Sequence, residues 1–239
     1  MNKYLQLDES YKEIYSLIDH FIFNSSVSQS VYMQHVENVK GEIVPVVHSG
    51  IGDHRSKMDI DENNIHIGFI GNTTVYKGYS LLESVLVELL DEGFANWSLS
   101  VWGGAKAEHP NTSKILFRGT YTPSQLGEVY SPMNLLVVPS VWKETFSLVA
   151  LEALSHGVPV LVSSTVGAKD VIKQYDSSFI FESRNDLKEN LKMILMNPHR
   201  LSGFNEKILN RAWIYTQREH TQQIRDIYNK IIKQKSVNK

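Results

Sequence analysis

The chain has 239 residues, a formal net charge of −2 and no cysteine. This length suits one large domain, or one domain with part of a second. The near-neutral charge argues against nucleic-acid binding and does not indicate membrane association, and the lack of cysteine excludes disulfides and thiolate metal sites. Acidic residues among the first twenty argue against a signal peptide, and no apolar run has the length of a membrane span. We therefore expect a cytoplasmic globular protein.

The first part of the chain predicts a few short elements. Apolar groups at helical spacing in residues 9–18 indicate a helix, and the apolar run at 20–24 indicates a buried strand. Ser25 and Ser26 open a helix predicted to reach about residue 35, and residues 42–47 are a second extended run. Residues 53–64 are polar and charged without apolar periodicity, which predicts a linker.

Strands and helices alternate in the rest of the chain. Strands are predicted at 65–71, 97–102, 115–119, 135–138, 158–162 and 178–181. Helices are predicted at 79–92, from a cap at Thr122, at 147–156, at 169–174, from a cap at Asn185 to about 196, and at 204–232, with a polar loop at 106–113 and a frayed C-terminal tail. Because such alternation gives right-handed parallel crossovers, we expect an α/β fold with a doubly wound, Rossmann-like parallel sheet.

One loop of this half suits a phosphorylated ligand. An open α/β sheet binds ligands beyond the carboxyl ends of its strands. Lys77 follows the strand at 65–71 and precedes a helix, where free backbone N–H groups and the dipole attract anions. The same dipole disfavours a lysine at that place, so we interpret Lys77 as functional rather than as an exposed lysine at a helix start.

Two carboxylates lie eight residues apart in the stretch from Pro139 to Thr165, PSVWKETFSLVALEALSHGVPVLVSST. Glu144 lies in a loop after a strand, and Glu152 lies inside the helix that follows. The spacing alone is unspecific, but its surroundings (Pro-Ser, Glu-Thr-Phe, Leu-Glu-Ala-Leu, Gly-Val-Pro-Val, Val-Gly-Ala) resemble the EX7E motif of retaining GT-B glycosyltransferases of family 4 (group 1). The alternative is a solvated Glu144 and a Glu152 that caps or pairs on an ordinary helix.

The resemblance implies transfer of a sugar from a nucleotide-diphosphate sugar to an acceptor, with retention of anomeric configuration, as in polysaccharide biosynthesis. Glu144 is then a catalytic residue that contacts donor-sugar hydroxyls. Lys77 is a catalytic residue that stabilises the charge of the leaving diphosphate. Glu152 would accept hydrogen bonds from the ribose. Further donor contacts come from the backbone and side chains of Thr145, Phe146, Ser147 and Leu148. The scheme requires neither a metal nor a cofactor.

The segment from Gly71 to Gly78 resembles the diphosphate element Gly-Arg-x4-Lys-Gly of the same family, with Asn72 in place of the arginine. One of two cations is therefore missing, so the diphosphate contact rests more on Lys77 and on backbone amides, while Asn72 can donate one hydrogen bond. The resemblance also places the base near Arg118, Thr120 and Tyr121, although a packing role for Tyr121 is equally compatible.

The sequence contains one candidate metal motif, Asp59-Ile60-Asp61, which would bind a metal and a nucleotide-sugar in glycosyltransferases of the other major fold. It lies in the predicted linker and does not end a predicted strand, so we prefer a solvated acidic segment. The nine histidines are scattered and have no metal-ligand spacing. We therefore expect no metal site.

The resemblance implies four regions. They are a remnant of the N-terminal acceptor domain at 1–52, the linker at 53–64, the donor-binding domain at 65–200, and a C-terminal helix and tail at 201–239. About sixty residues cannot form an independent doubly wound domain. We therefore expect the acceptor site, for a glycan, lipid or protein, to come from a missing N-terminal domain or a partner chain.

Two functions stay open. The first is a glycosyltransferase, and the second is a non-catalytic accessory subunit that binds a nucleotide-sugar. A nucleotide-sugar epimerase is less favoured, and the sequence does not distinguish UDP from GDP or identify the donor sugar.

Overall fold

The computed structural model describes residues 3–103 and 113–237, without the side chains of residues 3–8 and 237. The polar loop predicted at 106–113 lies almost entirely outside the described residues. In the described chain, none of the helices is both long enough and apolar enough to span a lipid bilayer.

The main sheet has six parallel strands. They are β3 (Ile65–Ile70), β4 (Trp97–Trp102), β5 (Ile115–Gly119), β6 (Leu135–Val138), β7 (Val160–Ser163) and β8 (Ile180–Phe181). Their spatial order is β5-β4-β3-β6-β7-β8, so the chain builds outward from β3 on one side and then returns to its other side. The strand order therefore reverses between β3 and β6, which confirms the predicted doubly wound sheet and identifies its switch point.

Helices connect these strands or follow them. They are α3 (Tyr79–Asp91), α4 (Leu126–Tyr130), α5 (Leu148–Ser155), α6 (Lys169–Tyr175), α7 (Arg184–Met196), α8 (His199–Leu209) and α9 (Gln217–Val237). The strands are buried in near-continuous apolar runs, as β6 and β7 show along their whole length. In α3, buried residues recur at helical spacing: Leu82, Val85, Leu86 and Leu89. This packing forms one hydrophobic core around the site-bearing strands.

The first segment forms a separate two-stranded parallel sheet. Its elements are α1 (Lys3–Ser16), β1 (Phe21–Phe23), α2 (Ser26–Met33) and β2 (Gly41–Ile43). The backbone N–H and the hydroxyl of Ser26 both donate to the Asp170 carboxylate at 2.6 Å, and the Ser25 hydroxyl donates to the Thr145 carbonyl. The start of α2 is thereby fixed against the loop that contains Glu144.

Helix α9 returns over this first segment. Lys230 pairs with Glu42 and Lys235 with Asp19, both at 2.6 Å. The helix continues to Val237, so the prediction of a frayed tail is wrong for residues 233–237, and residues 238–239 lie outside the described residues.

Three predicted boundaries also differ. The strand predicted at 42–47 ends at Ile43, just before Pro45, which has no N–H for a sheet ladder. Ser183, not Asn185, caps α7, since its hydroxyl accepts the Asp186 N–H while Asp186 accepts the Ser183 N–H in a capping box. The last predicted strand is shorter, because residues 177–179 form a 3-10 turn.

The single helix predicted at 204–232 is two helices. Helix α8 ends at Leu209, where the Arg55 guanidinium donates to the carbonyl oxygens of Ile208 and Arg211 at 2.6 and 2.7 Å. A cation with several donors satisfies carbonyls that the helix end leaves without partners. Asn205 on α8 also bonds the backbone of Ser56 and Met58, so the predicted linker lies as extended chain along α8.

Candidate functional site

A pocket of about 580 Å³ lies beyond the carboxyl ends of β3 and β6, at the switch point of the sheet. Its volume is within the range of small-molecule sites. Nine predicted site residues line it: Gly71, Asn72, Lys77, Tyr121, Glu144, Thr145, Phe146, Ser147 and Leu148. The remaining two, Thr120 and Glu152, are not part of the lining, and Thr120 is exposed. The pocket thus brings together the loop after β3 and the loop after β6.

An ion pair joins these two loops inside the pocket. The Lys77 ammonium lies 2.9 Å from Oε1 of Glu144, and the Ser140 hydroxyl donates to Oε2 at 2.6 Å. The backbone of Glu144 is also held, since its N–H donates to Thr165 and its carbonyl accepts from Gly167. Glu144 is therefore fixed in position, while the longer Lys77 side chain stays partly exposed and able to exchange partners.

The loops after β3 and β6 make further contacts besides this ion pair. The backbone N–H of Val141 donates to the Tyr76 carbonyl at 3.0 Å. The exposed rings of Tyr76 and Trp142 meet edge to face, with centroids 5.5 Å apart. These contacts add to the ion pair in holding the two loops together.

Helix α5 begins at the pocket with an unusual backbone. Its N-cap residue, Ser147, has a φ of 86° and makes no capping hydrogen bond with its side chain. Ser147, Leu148 and Val149 all line the pocket. The first N–H groups and the positive end of the helix dipole are thus available to an anion in the pocket.

We expect Ser147→Gly to stabilise the protein by about 1 kcal/mol. A backbone with positive φ costs a non-glycine residue roughly 1–3 kcal/mol, which glycine avoids. Part of this gain is offset because glycine increases the conformational entropy of the unfolded chain. A melting temperature raised by about 2–4 °C would show it. Asn38→Gly is the matched control, since Asn38 has a φ of 55°, which asparagine tolerates. A destabilised Ser147→Gly variant would contradict this account.

Glu152 lies behind the pocket with both carboxylate oxygens bonded. His48 Nε2 is 2.9 Å from Oε1, and the Tyr130 hydroxyl donates to Oε2 at 2.6 Å. Its side chain is 12% exposed. Burial and then the Glu152 charge raise the pKa of Tyr121 to about 12, so Tyr121 lines the pocket as a neutral phenol whose hydroxyl lies close to this carboxylate.

Of the residues expected near a base, Tyr121 lines the pocket, whereas Arg118 and Thr120 do not. Tyr121 packs edge to face on Trp102 at 5.9 Å, and Arg118 Nε donates to Ser100 Oγ at 3.3 Å. The Asn72 side-chain oxygen Oδ1 accepts from the Thr74 hydroxyl, which leaves the side-chain amide N–H₂ of Asn72 as a donor.

Sequence reasoning missed His48, Tyr130 and Ser140 as partners of the two glutamates. Ser140 belongs to the Pro-Ser pair of the motif, so the sequence could have indicated that it lies near Glu144. His48 and Tyr130 carry no motif that indicates their contact with Glu152.

Across residues 3–103 and 113–237, no three His, Asp or Glu side chains come together as metal ligands. In the Asp-x-Asp segment, Asp61 accepts the Asn63 N–H at 2.9 Å within a turn. That carboxylate has the local role of a turn residue.

Comparison with known proteins links this geometry to a family. Residues 51–218 match the family Glycosyl transferases group 1. The chain is 26% identical over 167 residues to the uncharacterized glycosyltransferase MJ1607 of Methanocaldococcus jannaschii, covering 66% of this chain and 42% of that protein. It is 23% identical over 190 residues to the D-inositol 3-phosphate glycosyltransferase of Corynebacterium aurimucosum, covering 73% and 45%. The chain thus spans less than half the length of these relatives.

Solved structures show the same fold. Sucrose-phosphate synthase from Thermosynechococcus elongatus superposes with a TM-score of 0.69 at 18% identity, covering 95% of this chain and 62% of that one. Anabaena Alr3699/HepE in complex with UDP and glucose gives 0.65 at 16% identity, covering 87% and 62%. The neighbours are GT-B glycosyltransferases. Because the family match covers most of the sequence and the fold agrees with it, the chain belongs to the Glycosyl transferases group 1 family.

Proposed function

We propose that this chain is the donor-binding part of a retaining glycosyltransferase that uses a nucleotide-diphosphate sugar. The observation that carries the proposal is the pocket at the switch point, where the Lys77–Glu144 pair faces the uncapped start of α5. A cation and a helix N-terminus suit a diphosphate, and a fixed carboxylate suits sugar hydroxyls. A structural neighbour has been solved with UDP and glucose, which supports the same ligand class here.

The chemical problem is a leaving nucleoside diphosphate and an oxocarbenium-like transition state. Lys77 and the N–H groups at the start of α5 would stabilise the charge that develops on the leaving group, without a metal. The N–H groups are held in position by the helix, so they need little reorganisation during the reaction. On donor binding, the Lys77 ammonium would exchange Glu144 for a phosphate oxygen.

Glu144 would then accept hydrogen bonds from the donor sugar and fix its orientation. The Ser140 hydroxyl and the backbone bonds of Glu144 keep the carboxylate in place after Lys77 leaves it. Glu152 would accept from the ribose, and Tyr121 would line the path from ribose to base.

The relatives are longer than the stretch that aligns with this chain. The acceptor half of the active site would come from a region equivalent to their additional residues, or from a partner chain. The chain spans 42–45% of the curated relatives described above. That observation also keeps a second function open, a nucleotide-sugar-binding accessory subunit that has no transfer activity of its own.

Calorimetric titration with UDP, GDP, UMP and GMP tests the proposal. We expect one diphosphate to bind at least about tenfold more tightly than its monophosphate, because the second phosphate adds a charge-assisted contact. Failure of every nucleotide to bind would refute the donor site, as would equal affinities for mono- and diphosphates. A sugar-transfer assay of the chain alone then separates the two functions, since turnover excludes the accessory role.

A further inference from the structure

His48 joins the first segment to the site of the second. It lies after β2 and three residues before the stretch that matches the family. Its Nε2 is 2.9 Å from Oε1 of Glu152, which is 104 residues away in the chain. A residue from outside the matched stretch therefore contacts the carboxylate expected to bind ribose.

The hydrogen bonds determine the tautomer of His48. The backbone N–H of Gly50 donates to Nδ1 at 3.0 Å, so Nδ1 carries no proton in this arrangement. Neutral imidazole has one N–H, which must then be on Nε2 and point at Glu152. His48 is thus a neutral donor that holds the carboxylate without cancelling its charge.

Tyr130 completes the arrangement from the other side. Its hydroxyl donates to Oε2 at 2.6 Å, and its ring is fully buried and stacked on His156 at 5.3 Å. Each oxygen of Glu152 therefore accepts from one fixed neutral donor. The Tyr121 hydroxyl also lies close to this carboxylate, since burial and then the Glu152 charge raise its pKa. A carboxylate has about four lone-pair sites, so Glu152 can still accept from further donors.

We propose that His48, together with Tyr130, positions Glu152 so that its carboxylate accepts from the 2′- and 3′-hydroxyls of the nucleotide ribose. This inference rests on the proposed function. A carboxylate without these donors can rotate, and a rotated carboxylate aligns poorly with a vicinal diol. His48 is a positioning residue, and ribose recognition depends on the segment that precedes residue 51.

The test compares ribonucleotides with their 2′,3′-dideoxy counterparts. UDP, GDP and the two dideoxynucleotides are titrated into the wild-type chain and into His48→Leu, His48→Gln and Tyr130→Phe. Wild type should prefer the ribonucleotide by roughly tenfold or more, since hydrogen bonds to a charged acceptor are strong. In His48→Leu most of this preference should disappear, while the affinity for the dideoxynucleotide stays constant. His48→Gln, which keeps an N–H donor, should restore much of it.

Controls separate positioning from a general structural effect. Tyr130→Phe keeps the buried ring and should reduce the preference even if His48→Leu does not fold. His199→Leu, at an exposed histidine that pairs with Glu62, should leave the preference unchanged. An unchanged preference in folded His48→Leu or Tyr130→Phe overturns the inference, as does a wild type that binds both nucleotide forms equally. Absence of any nucleotide binding to wild type instead overturns the proposed function as well.

Discussion

Replacing Lys77 with alanine is expected to weaken nucleoside-diphosphate binding by about ten- to hundredfold, the range for a lost charge-assisted hydrogen bond. Two changes act in the same direction. The variant loses a cation from the pocket, and it leaves the Glu144 carboxylate without the ammonium that lies 2.9 Å from it. Because Ser140 still holds that carboxylate in place, it would repel the incoming phosphates. Calorimetry at low and physiological salt measures the loss.

A double variant separates these two contributions. Lys77→Ala combined with Glu144→Gln removes the uncompensated carboxylate and should recover part of the affinity that Lys77→Ala loses. Lys143→Ala is the matched control, because it removes an exposed lysine of the same loop and should change affinity less than about threefold. Equal losses in Lys77→Ala and Lys143→Ala would show that overall charge, not a contact, attracts the diphosphate.

Glu144→Gln alone should affect two ligands in opposite ways. Affinity for the bare diphosphate should stay the same or rise, since Lys77 no longer has to leave a carboxylate. Binding and transfer of the sugar-bearing donor should fall, because the carboxylate proposed to orient the sugar is lost. A variant that lowers affinity for both ligands equally would remove the distinction between the roles of Lys77 and Glu144.

Local patterns predicted most of the architecture. The apolar runs that became β3 and β6 are bounded by polar loops, and a parallel strand buried on both faces requires such a run. The pocket position also followed from the sequence, since Lys77 and Glu144 each come after a strand end. Lys77 and Glu144 come into contact because β3 pairs with β6 at the switch point, and no local sequence pattern predicts that pairing.

Several missed features depend on partners distant in the chain. The break after α8 is capped by Arg55, which lies 153 residues before Ile208. The partners of Glu152 lie 104 and 22 residues away, and the sequence around His48 gives no indication of which carboxylate it meets. Helical spacing predicts which face of a helix is buried, but not which side chain of another segment lies against it.

Gly78→Ala is expected to destabilise the protein by roughly 3–5 kcal/mol, which is large for a single methyl group. Gly78 has a φ of 73°, and a Cβ at this position would lie 1.9 Å from the carbonyl oxygen of Pro139. A backbone atom cannot rotate away as a side chain can, so one of the two loops must move. Thermal unfolding should show a melting temperature lowered by about 6–20 °C.

Alanine substitutions at two other glycines distinguish backbone strain from the steric clash with Pro139. Gly93 has a φ of 94°, and a Cβ there would meet no other atom within 4 Å, so Gly93→Ala carries strain alone. It should cost about 1–2 kcal/mol. Gly127 lies within α4 with the same open space and no positive φ, so Gly127→Ala should be neutral or slightly stabilising. If Gly78→Ala costs no more than Gly93→Ala, the close approach to Pro139 does not contribute.

The collision also affects the site, because Gly78 follows Lys77 directly and Pro139 precedes Ser140. Moving either loop changes the distance between the Lys77 ammonium and the Glu144 carboxylate that Ser140 holds. Folded Gly78→Ala protein, measured well below its melting temperature, should therefore bind nucleoside diphosphate more weakly than wild type. Gly93→Ala, which lies at the far end of α3, should bind it with unchanged affinity. Normal binding by Gly78→Ala would mean that the contact between the two loops does not set the geometry of the pocket.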